Sequence, residues 1–394
     1  MKILYLTTVI PTSRKTGGEI ASQNFIDALK KNGHDVVVVA YQRLGDIQQE
    51  SKNKIIVGKR HIESNKSRLY PLLWMGDSLL RKYPYSAAKY YSLNYVKSVK
   101  KILSNDTYDA VIVDHAQICW IADLLSAKVK KIIFIAHNIE HEVYLAQCQN
   151  THNPLTKYIY QREATLIQTC EDYLASLAIQ VWTLTPHDSK YFWKLNPNTQ
   201  AFDLPSSLNI RFNSLQQPAS SKKFDIGIIG SWTWNANMLG LKWFFQQVYP
   251  HLPKNLSIHV AGKGAEWLSG EYDNVHYCGF VPDVQEFMSQ AKAIAIPSVA
   301  GGGIQIKTLD AIASGLPIVA TPTALRGIVE YPSSDIEVAE QPDKFAYILT
   351  DFVTNTDLTE NSRISLLEER HKWLQLRQQQ FTAKVKNAIY SLGH

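Results

Sequence analysis

Two series of short apolar segments, each alternating with helical patterns, constrain the fold of this 394-residue chain more than any other feature. The first series predicts strands at Ile3–Thr8, Asp35–Ala40, Ala110–Asp114, Lys131–Ala136 and Gln180–Thr185. The second predicts strands at Asp225–Gly230, Leu256–Ala261, Val275–Cys278, Ala293–Ile296, Ile318–Ala320 and Ile336–Val338. Strands separated by helices form parallel sheets that are covered on both faces. The sequence therefore predicts an α/β fold with two Rossmann-like domains facing a cleft.

A polar stretch separates the two series. Residues 205–223 are rich in Ser, Pro, Asn and Gln, a composition typical of an interdomain linker. The length of the chain and its 45% hydrophobic content also exceed what one core requires. We therefore expect a first domain over 1–204, a linker over 205–223 and a second domain over 224–365.

The most informative motif is a run of three glycines, Gly301–Gly303, between an apolar strand and a helix. Glycine lets a ligand approach the backbone, and a helix N-terminus offers unpaired N–H groups at the positive end of the dipole, which suits a phosphate. Lys307 and Asp310 lie three residues apart on one helix face, so a cation and a carboxylate can reach one ligand. An ordinary strand-to-helix turn with a solvated Lys and Asp explains the same pattern.

Four motifs of the second half occur in one order and at one spacing. They are GIIGSWTWNANMLGLKWFF at Gly227–Phe245, HVAGKG at His259–Gly264, CGFVPDV at Cys278–Val284, and the glycine run with its helix. Together they resemble the C-terminal half of retaining family 4, or group 1, glycosyltransferases of the GT-B fold. The N-terminal MKILYLTT, TGGEI and ALKKNGHDVVVVA resemble that family's opening. The resemblance is weakest over 42–105, and it implies that residues 366–394 form a helix returning to the first domain.

In the first domain, the resemblance draws attention to residues that follow strands, where ligands of open parallel sheets bind. Gly17 and Gly18 lie in a loop that lines the donor–acceptor cleft in the family, although a flexible loop is the alternative. His137 follows its strand at the position where the family contacts the donor sugar, and we expect it to be catalytic. We expect three neighbouring side chains to bind the acceptor or to support these groups: Glu19, Asn138 and Glu140.

In the second domain, Lys307 is the expected catalytic cation on the leaving diphosphate. The family often places an Arg and a Lys after the first strand of this domain, and both are absent here. Lys307 and Lys263, aided by backbone amides of the glycine run, must then neutralise the two phosphates. The donor-binding residues that we expect are Ser231, Lys263, Gly302, Gly303, Ile304, Gln305 and Asp310. Trp232 and Trp234 either stack on the base or sugar or pack at the rim of the site.

The paired glutamates of the family's EX7E pattern are the main departure of this chain. The second falls on Asp310, which keeps a carboxylate for the ribose hydroxyls, whereas the first falls on Gly302, which has no side chain. Contacts to the donor sugar must then come from the backbone or from Gln305. The identity of the sugar does not follow from the sequence.

We expect no metal and no cofactor, with the nucleotide sugar as a substrate. His137 and His141 are four residues apart with Glu140 between them, but HNIEH differs from the HExxH zinc pattern and no third ligand is evident. No Asp-x-Asp sequence, which would suit a metal bridging the phosphates, occurs in the chain. The four cysteines are scattered, as expected for buried thiols of a reducing compartment. The opening segment reads as a strand rather than as a signal peptide, and we expect a cytoplasmic protein.

Residues 52–101 are strongly basic. They hold twelve Lys or Arg residues against two acidic residues, a local net charge of +10 in a chain whose total is +6, together with seven Tyr or Trp residues. Basic side chains interleaved with aromatic rings suit an anionic membrane surface. A solvated helical face with core aromatics is the alternative. No nucleic-acid-binding motif accompanies this composition, so we expect no nucleic-acid partner.

The motifs and the resemblance predict a nucleotide-sugar-dependent glycosyltransferase, and the resemblance implies that it retains anomeric configuration. We expect a UDP- or GDP-sugar donor and a glycan, lipid-linked or other acceptor, in the assembly of a bacterial-type surface polysaccharide or glycoconjugate. A peripheral position at the inner face of the cell membrane follows from the basic segment. Two alternatives remain open: a non-catalytic glycosyltransferase-like binding subunit, favoured by the loss of the first Glu, and a sugar-nucleotide 2-epimerase of the GT-B fold.

Overall fold

The computed structural model describes residues 1–11, 16–46, 51–60, 70–206, 222–328, 330–332, 335–355 and 360–393. The chain divides into two compact units. Unit 1 comprises Met1–Leu204 and Gln380–His394, and unit 2 comprises Pro205–Gln379. Most of the expected linker, residues 207–221, and the middle of the basic segment, residues 61–69, lie outside the described residues.

Unit 1 contains a seven-stranded parallel sheet with the strand order β3-β2-β1-β4-β5-β6-β7. Its strands are β1 Lys2–Val9, β2 Asp35–Arg43, β3 Lys54–Arg60, β4 Ala110–Asp114, β5 Ile132–Ala136, β6 Gln180–Thr183 and β7 Thr199–Ala201. The strand order reverses between β1 and β4, which pair in parallel with Leu4 opposite Val111. Ligands of such sheets bind beyond the carboxyl ends of the strands at this switch point.

The helices of unit 1 connect these strands. They are α1 Gly17–Lys31, α2 Tyr70–Arg81, α3 Tyr85–Ala88, α4 Leu93–Asn105, α5 Ala122–Ser126, α6 Glu140–Gln149, α7 Pro154–Leu177 and α8 Pro186–Trp193, with a 3-10 helix at Ala116–Ile121. Helix α1 begins after Thr16, whose hydroxyl accepts from the Glu19 amide, and ends before Gly33, which has a φ of +80°. Gly17 and Gly18 thus form the first turn of α1 rather than a loop before it.

Unit 2 contains a six-stranded parallel sheet with the strand order β10-β9-β8-β11-β12-β13. The strands are β8 Phe224–Ile229, β9 Ile258–Ala261, β10 Val275–Gly279, β11 Ala291–Ile296, β12 Ile318–Ala320 and β13 Ile336–Val338. The α-helices are α9 Asn235–Trp243, α10 Val284–Ser289, α11 Ile306–Ala313, α12 Pro342–Thr354 and α13 Glu360–Tyr390. A π-helix at Phe244–Val248 and 3-10 helices at Tyr249–His251, Glu266–Leu268, Pro322–Leu325 and Ser391–Gly393 complete the described helices. The switch point of this sheet lies between β8 and β11.

The long helix α13 contributes to both cores. In unit 2, the fully buried Arg370 pairs with Asp335 at 2.8 Å and donates to the Leu316 carbonyl at 2.9 Å. In unit 1, the buried Phe381 packs against Phe25 with ring centroids 5.1 Å apart. Helix α13 thus contributes Arg370 to the interior of unit 2 and Phe381 to the interior of unit 1.

The fold predicted from the sequence is confirmed as two parallel α/β sheets with a C-terminal helix reaching the first domain. Strands β3 and β7 had no prediction. The helix after the glycine run begins at Ile306, three residues later than the run itself. Within the described part of the chain, no helix combines the length and apolarity that crossing a membrane requires.

Candidate functional site

The carboxyl edge of the unit 2 sheet is built for close backbone approach. A Cβ at Gly240, in α9, would lie 2.0 Å from the carbonyl oxygen of Pro297, which follows β11. A Cβ at Gly262, after β9, would lie 1.7 Å from the carbonyl oxygen of Gly230, which follows β8. No side chain fits at such distances, so glycine is required at both positions. These contacts bring together the loops on both sides of the switch point.

Lys307 lies in the first turn of α11, at this edge. Its Nζ donates to Asn237 Oδ1 at 2.9 Å, and Asn237 Nδ2 donates to the Ser231 carbonyl at 3.0 Å. Removal from solvent lowers the pKa of Lys307 to about 8, and among the described residues no carboxylate pairs with it. A partly buried ammonium whose recorded partner is a neutral amide is a suitable ligand for an anion.

The glycine run adopts conformations that other residues rarely reach. Gly301 has a φ of +115° and Gly303 a φ of +65°. The position of a Gly301 Cβ would lie 3.2 Å from Gln305 Nε2 and 3.4 Å from the Trp234 ring. Gln305 is buried and occupies the N-cap position of α11, but its side chain forms no hydrogen bond with the amides of the first turn. Gln305 and Trp234 thus lie beside the run, whose amides precede Lys307 by only a few residues.

The other expected donor-site residues lie in the same unit. Asp310 is buried in α11, and its Oδ1 accepts from Ser206 Oγ at 2.9 Å. Ser231 follows β8 and is exposed, with its hydroxyl 3.2 Å from that of Thr233. Lys263 follows β9 and is also exposed, with Nζ 5.0 Å from the centroid of the Phe280 ring. Asp310 is therefore buried and hydrogen-bonded, whereas Lys263 is exposed to solvent.

The two tryptophans after β8 have different environments. Trp232 is 3% exposed and its indole donates to the Ala261 carbonyl at 2.9 Å, so it belongs to the core. Trp234 is 41% exposed and borders the glycine run. Of the pair, Trp234 is the ring that a base or sugar can contact.

In unit 1, the carboxyl ends of β4 and β5 carry a carboxylate–imidazole pair. Asp114, the last residue of β4, is fully buried, and its Oδ1 lies 2.6 Å from His137 Nε2. Its Oδ2 accepts from Ser22 Oγ of α1 at 2.5 Å. A Cβ at Gly18 would lie 3.3 Å from the His115 ring and 3.9 Å from His137 Nδ1. Glycine at the start of α1 thus leaves room for the His115 ring, and the His137 ring lies at ordinary contact distance.

The charges of this cluster are set by its own members. Burial raises the pKa of Asp114, but His115, His137 and the bonds from His137 and Ser22 together hold it well below its usual range. Burial, followed by repulsion from His137, lowers the pKa of His115 to about 4. His115 and His137 stack with ring centroids 3.8 Å apart, so His115 is the neutral partner at pH 7. The buried negative charge of Asp114 orients the His137 ring and favours an N–H on Nε2.

Asp114, His115 and His137 also place three ligand atoms within 4.8 Å of one another, a spacing that a metal ion can bridge. Both oxygens of Asp114 already accept hydrogen bonds, from Ser22 and from His137. A metal would have to displace at least one of these bonds. The expectation of no metal therefore stays a prediction with a specific place to test it.

Most of the other residues of unit 1 that the sequence singled out form hydrogen bonds or ion pairs with neighbouring side chains. Glu140, in the first turn of α6, accepts from Gln117 Nε2 at 2.9 Å, and burial followed by repulsion from Glu171 raises its pKa to about 7. His141 Nδ1 lies 2.8 Å from Glu171 Oε2 rather than beside His137. Glu19 is buried and forms an ion pair with Arg43, and Asn138 directly follows His137 with its Oδ1 buried and unbonded.

Sequence reasoning missed Asp114, His115 and Asn237. Asp114 ends an otherwise apolar strand at the switch point and His115 follows it, and this position alone could have identified them. Asn237 lies in the NAN triplet after β8, and its role depends on a contact 70 residues along the chain, with Lys307. No local pattern indicates that contact.

Comparison with known proteins finds a family model that matches most of unit 2. Residues 223–355 match the family model of "Glycosyl transferases group 1". The resemblance stated from the motifs is confirmed for the unit that contains the glycine run and Lys307.

Similar proteins extend the comparison to the whole chain. The chain is 22% identical over 381 residues, covering 90% of it and 91% of the relative, to an "Uncharacterized 44.6 kDa protein in cps region" of Klebsiella pneumoniae. Its structure is similar to that of Anabaena Alr3699/HepE in complex with UDP, with a TM-score of 0.59, 13% identity and 99% of each chain covered. It is also similar to the lipopolysaccharide outer core galactosyltransferase WaaB, with a TM-score of 0.58, 15% identity and 99% of each chain covered. The fold of this chain is the GT-B fold.

Proposed function

We propose that this chain, whose residues 223–355 form a group 1 glycosyl transferase domain, moves a sugar from a nucleotide-sugar donor to a glycan, lipid-linked or other acceptor. Lys307 carries the proposal, because its partly buried ammonium lies at the sheet edge beside a glycine run and bonds to a neutral amide. A diphosphate supplies the negative charge that such a site lacks. The UDP bound to the similar Anabaena protein supports the same ligand class and makes UDP- and GDP-sugars the first donors to test.

The proposed reaction breaks the bond between the anomeric carbon and the diphosphate oxygen. Negative charge develops on the leaving diphosphate, where Lys307 and the amides of the glycine run stabilise it most strongly in the transition state. The acceptor oxygen then bonds to the anomeric carbon from the same face, and its proton passes to the leaving phosphate oxygen. The products are a nucleoside diphosphate and a glycoside of retained configuration, and retention rests on the family resemblance.

The unit 1 pair has a supporting role in this proposal. His137 is the proposed contact to the donor sugar, and Asp114 fixes its ring through Nε2. His137 Nδ1 is then the nitrogen left for a ligand, and it faces the start of α1. Asp310 is the proposed hydrogen-bond acceptor for the ribose hydroxyls. The ribose would then replace the hydroxyl of Ser206, which now donates to Asp310.

A place in surface glycan assembly follows from the similar proteins. One relative is described as lying in a cps region, and one similar structure is a lipopolysaccharide outer core galactosyltransferase. We extend to this chain a role in the synthesis of a bacterial-type surface polysaccharide or glycoconjugate, in the cytoplasm and without a metal cofactor. A lipid-linked acceptor fits a protein that contacts a membrane.

Helix α2 supports such membrane contact. Leu72, Leu73, Leu79 and Leu80 are 69%, 63%, 60% and 85% exposed. At this spacing they share one face of the helix, while Trp74 and Ser78 are buried on the other. Arg81 is the last residue of the helix, and the exposed Lys82 directly follows it. Leucines flanked by basic side chains match an anionic bilayer surface, where apolar groups insert and cations meet the headgroups.

Two alternative functions make different predictions. A non-catalytic subunit would bind the nucleotide without releasing product, and a 2-epimerase would convert the donor sugar without an acceptor. Gly302 places no carboxylate where the family has its first Glu, and proton abstraction from a sugar carbon needs such a base. The lack of a carboxylate at this position disfavours the epimerase.

The test is incubation of the purified protein with UDP-, GDP-, dTDP- and ADP-sugars and lipid-linked or glycan acceptors. Transfer is followed by mass spectrometry of the acceptor, and the anomeric configuration of the product by NMR. We expect one donor to give an acceptor heavier by one sugar, with the donor's configuration. Binding without any transfer or hydrolysis across the panel would contradict the proposal and favour the non-catalytic subunit.

A further inference from the structure

A second cation borders the glycine run of unit 2. Arg326 follows β12 and the short 3-10 helix Pro322–Leu325, and its Nη1 donates to the Gly301 carbonyl at 2.7 Å. This bond uses one of the five N–H donors of the guanidinium. Arg326 is exposed, and within the described ranges it forms no ion pair with a carboxylate. Most of its donors are therefore available to a ligand at the run.

The backbone that carries Arg326 is fixed independently of its side chain. Thr321 donates through its hydroxyl to the Ser298 carbonyl, just before the glycine run. Thr308 Oγ1 of α11 donates to the Ala324 carbonyl at 2.7 Å, just after the run. These two buried bonds hold residues 321–324 against both ends of the run. The backbone near Arg326 is thus held beside the glycine run, and the bond from Arg326 to the Gly301 carbonyl orients the guanidinium there.

The other expected cation lacks such an arrangement. Lys263 lies on the β9 side of the sheet edge, exposed, with its ammonium 5.0 Å from the Phe280 ring centroid. Among the described residues, Lys263 forms no hydrogen bond with the glycine run. A nucleoside diphosphate carries more than one negative charge, and a planar guanidinium matches phosphate oxygens with two parallel bonds. Lys307 and Arg326 are the cations that the described structure brings to the run.

We propose that Arg326 is a second cationic ligand of the donor diphosphate, acting with Lys307 at the glycine run. This inference rests on the proposed function. It changes the site expected from the sequence, because the role assigned to Lys263 passes to Arg326. In this proposal the planar fork of Arg326 binds phosphate oxygens beside Gly301, whose carbonyl accepts one bond from the guanidinium.

The experiment is calorimetry of nucleoside diphosphate binding to the full chain. UDP, GDP, dTDP and ADP are first compared with the parent protein, and the tightest binder is used afterwards. R326Q should weaken its binding by about tenfold to a hundredfold, because a charge-assisted contact to phosphate is lost. R326K should recover part of the affinity. K263Q and K344Q, the second removing an exposed lysine of α12, should bind like the parent.

Salt dependence separates charge contact from a structural role. If Arg326 neutralises phosphate, R326Q should show a shallower fall of affinity with salt than the parent, since one charge contact is gone. If R326Q unfolds at a lower temperature than the parent, R326K tests the charge separately. It keeps the charge and should keep the parent's salt dependence. An unchanged salt dependence in R326Q, an unchanged affinity, or a loss found in K263Q instead would overturn the inference. A parent that binds no nucleoside diphosphate would overturn the proposed function itself.

Discussion

Lys307 Nζ lies 2.9 Å from Asn237 Oδ1, so the recorded partner of this ammonium is a neutral amide. The amide is itself fixed by a bond from Asn237 Nδ2 to the Ser231 carbonyl at 3.0 Å. The cation is thereby positioned without being neutralised. A ligand that brings negative charge gains the full interaction, since no internal carboxylate competes for Lys307 within the described residues.

Nucleoside diphosphate binding should depend on pH through Lys307. Its pKa in the free protein is lowered to about 8 by burial, and a bound diphosphate should raise it toward its ordinary value. The charged form is therefore partly lost above pH 8 in the free protein but kept in the complex. Affinity should fall by up to about tenfold per pH unit above pH 8, with proton uptake on binding.

Calorimetry between pH 7 and pH 9.5, in buffers of different ionisation enthalpy, measures both effects. K307R keeps its charge throughout this range and should bind with nearly constant affinity. A parent whose affinity and proton uptake do not change between these pH values would show that Lys307 does not contact the ligand.

Asp310 should set the affinity for the nucleotide. We expect D310N to weaken binding of the nucleoside diphosphate by about tenfold, because an amide is a poorer acceptor for the ribose hydroxyls than a carboxylate. S206A, which removes only the hydroxyl now bonded to Asp310, serves as the matched control and should bind at least as well as the parent. Equal affinity of D310N and the parent would reduce Asp310 to a buried helix carboxylate held by Ser206.

Asp114 should act on the reaction through His137. In D114N the ring of His137 loses its charged acceptor at Nε2, so the ring tautomer and orientation are no longer fixed. We expect turnover to fall by about tenfold to a hundredfold, as for other partners that orient a functional imidazole, while nucleoside diphosphate affinity stays unchanged.

The control for Asp114 is S22A, which removes the bond to the other carboxylate oxygen and should lower turnover less. A D114N enzyme with the parent's turnover would leave Asp114 with only a structural role.

The leucine face of α2 should bind anionic vesicles. The parent should sediment with vesicles that contain anionic phospholipid, less as salt rises, and should not sediment with neutral vesicles. Replacing Leu72, Leu73, Leu79 and Leu80 by Ser should abolish sedimentation while nucleotide binding is kept. The combined K59Q, R81Q and K82Q variant should sediment less than the parent, and the difference should be greatest at low salt, where charge attraction is least screened. A parent that ignores anionic vesicles at low salt would indicate a solvated face and a soluble acceptor.

Most strands of the parallel sheets followed from the sequence because they are buried on both faces and are largely apolar. Ala110–Asp114 and Ile132–Ala136 are wholly buried and were evident as apolar runs. Strand β3 had no such signal, because Lys54–Arg60 is a half-exposed edge strand with three basic residues. Strand β7 has only three residues. Edge position and short length removed the pattern on which the prediction depended.

The candidate site followed from the sequence only where a residue stands at a strand end or in a glycine run. Lys307 and Asp310 share the helix that the glycines precede, so their common location was predictable from spacing alone. Asn237, Asp114 and Arg326 acquire their roles through contacts distant in the chain, such as that of Arg326 with the Gly301 carbonyl. Such pairings arise from packing and carry no local signature.

The basic segment shows the same limit. Arg60 was one of its surface cations in the sequence, but its guanidinium donates to the Lys89 and Tyr91 carbonyls and stacks on Tyr41 at 4.4 Å. Arg60 therefore anchors β3 to the segment before α4. The leucine face of α2 was in turn hidden from composition, because exposure rather than residue type distinguishes it from a core helix.

The measurement that tests the central claim most directly is donor turnover by the parent, K307Q and K344Q, followed as nucleoside diphosphate release and sugar transfer. The account predicts that the parent transfers sugar and that K344Q matches it. K307Q should lose about 2–4 kcal/mol of transition-state stabilisation, which corresponds to a rate lower by more than an order of magnitude. A K307Q enzyme that transfers sugar within a few-fold of the parent would contradict the account.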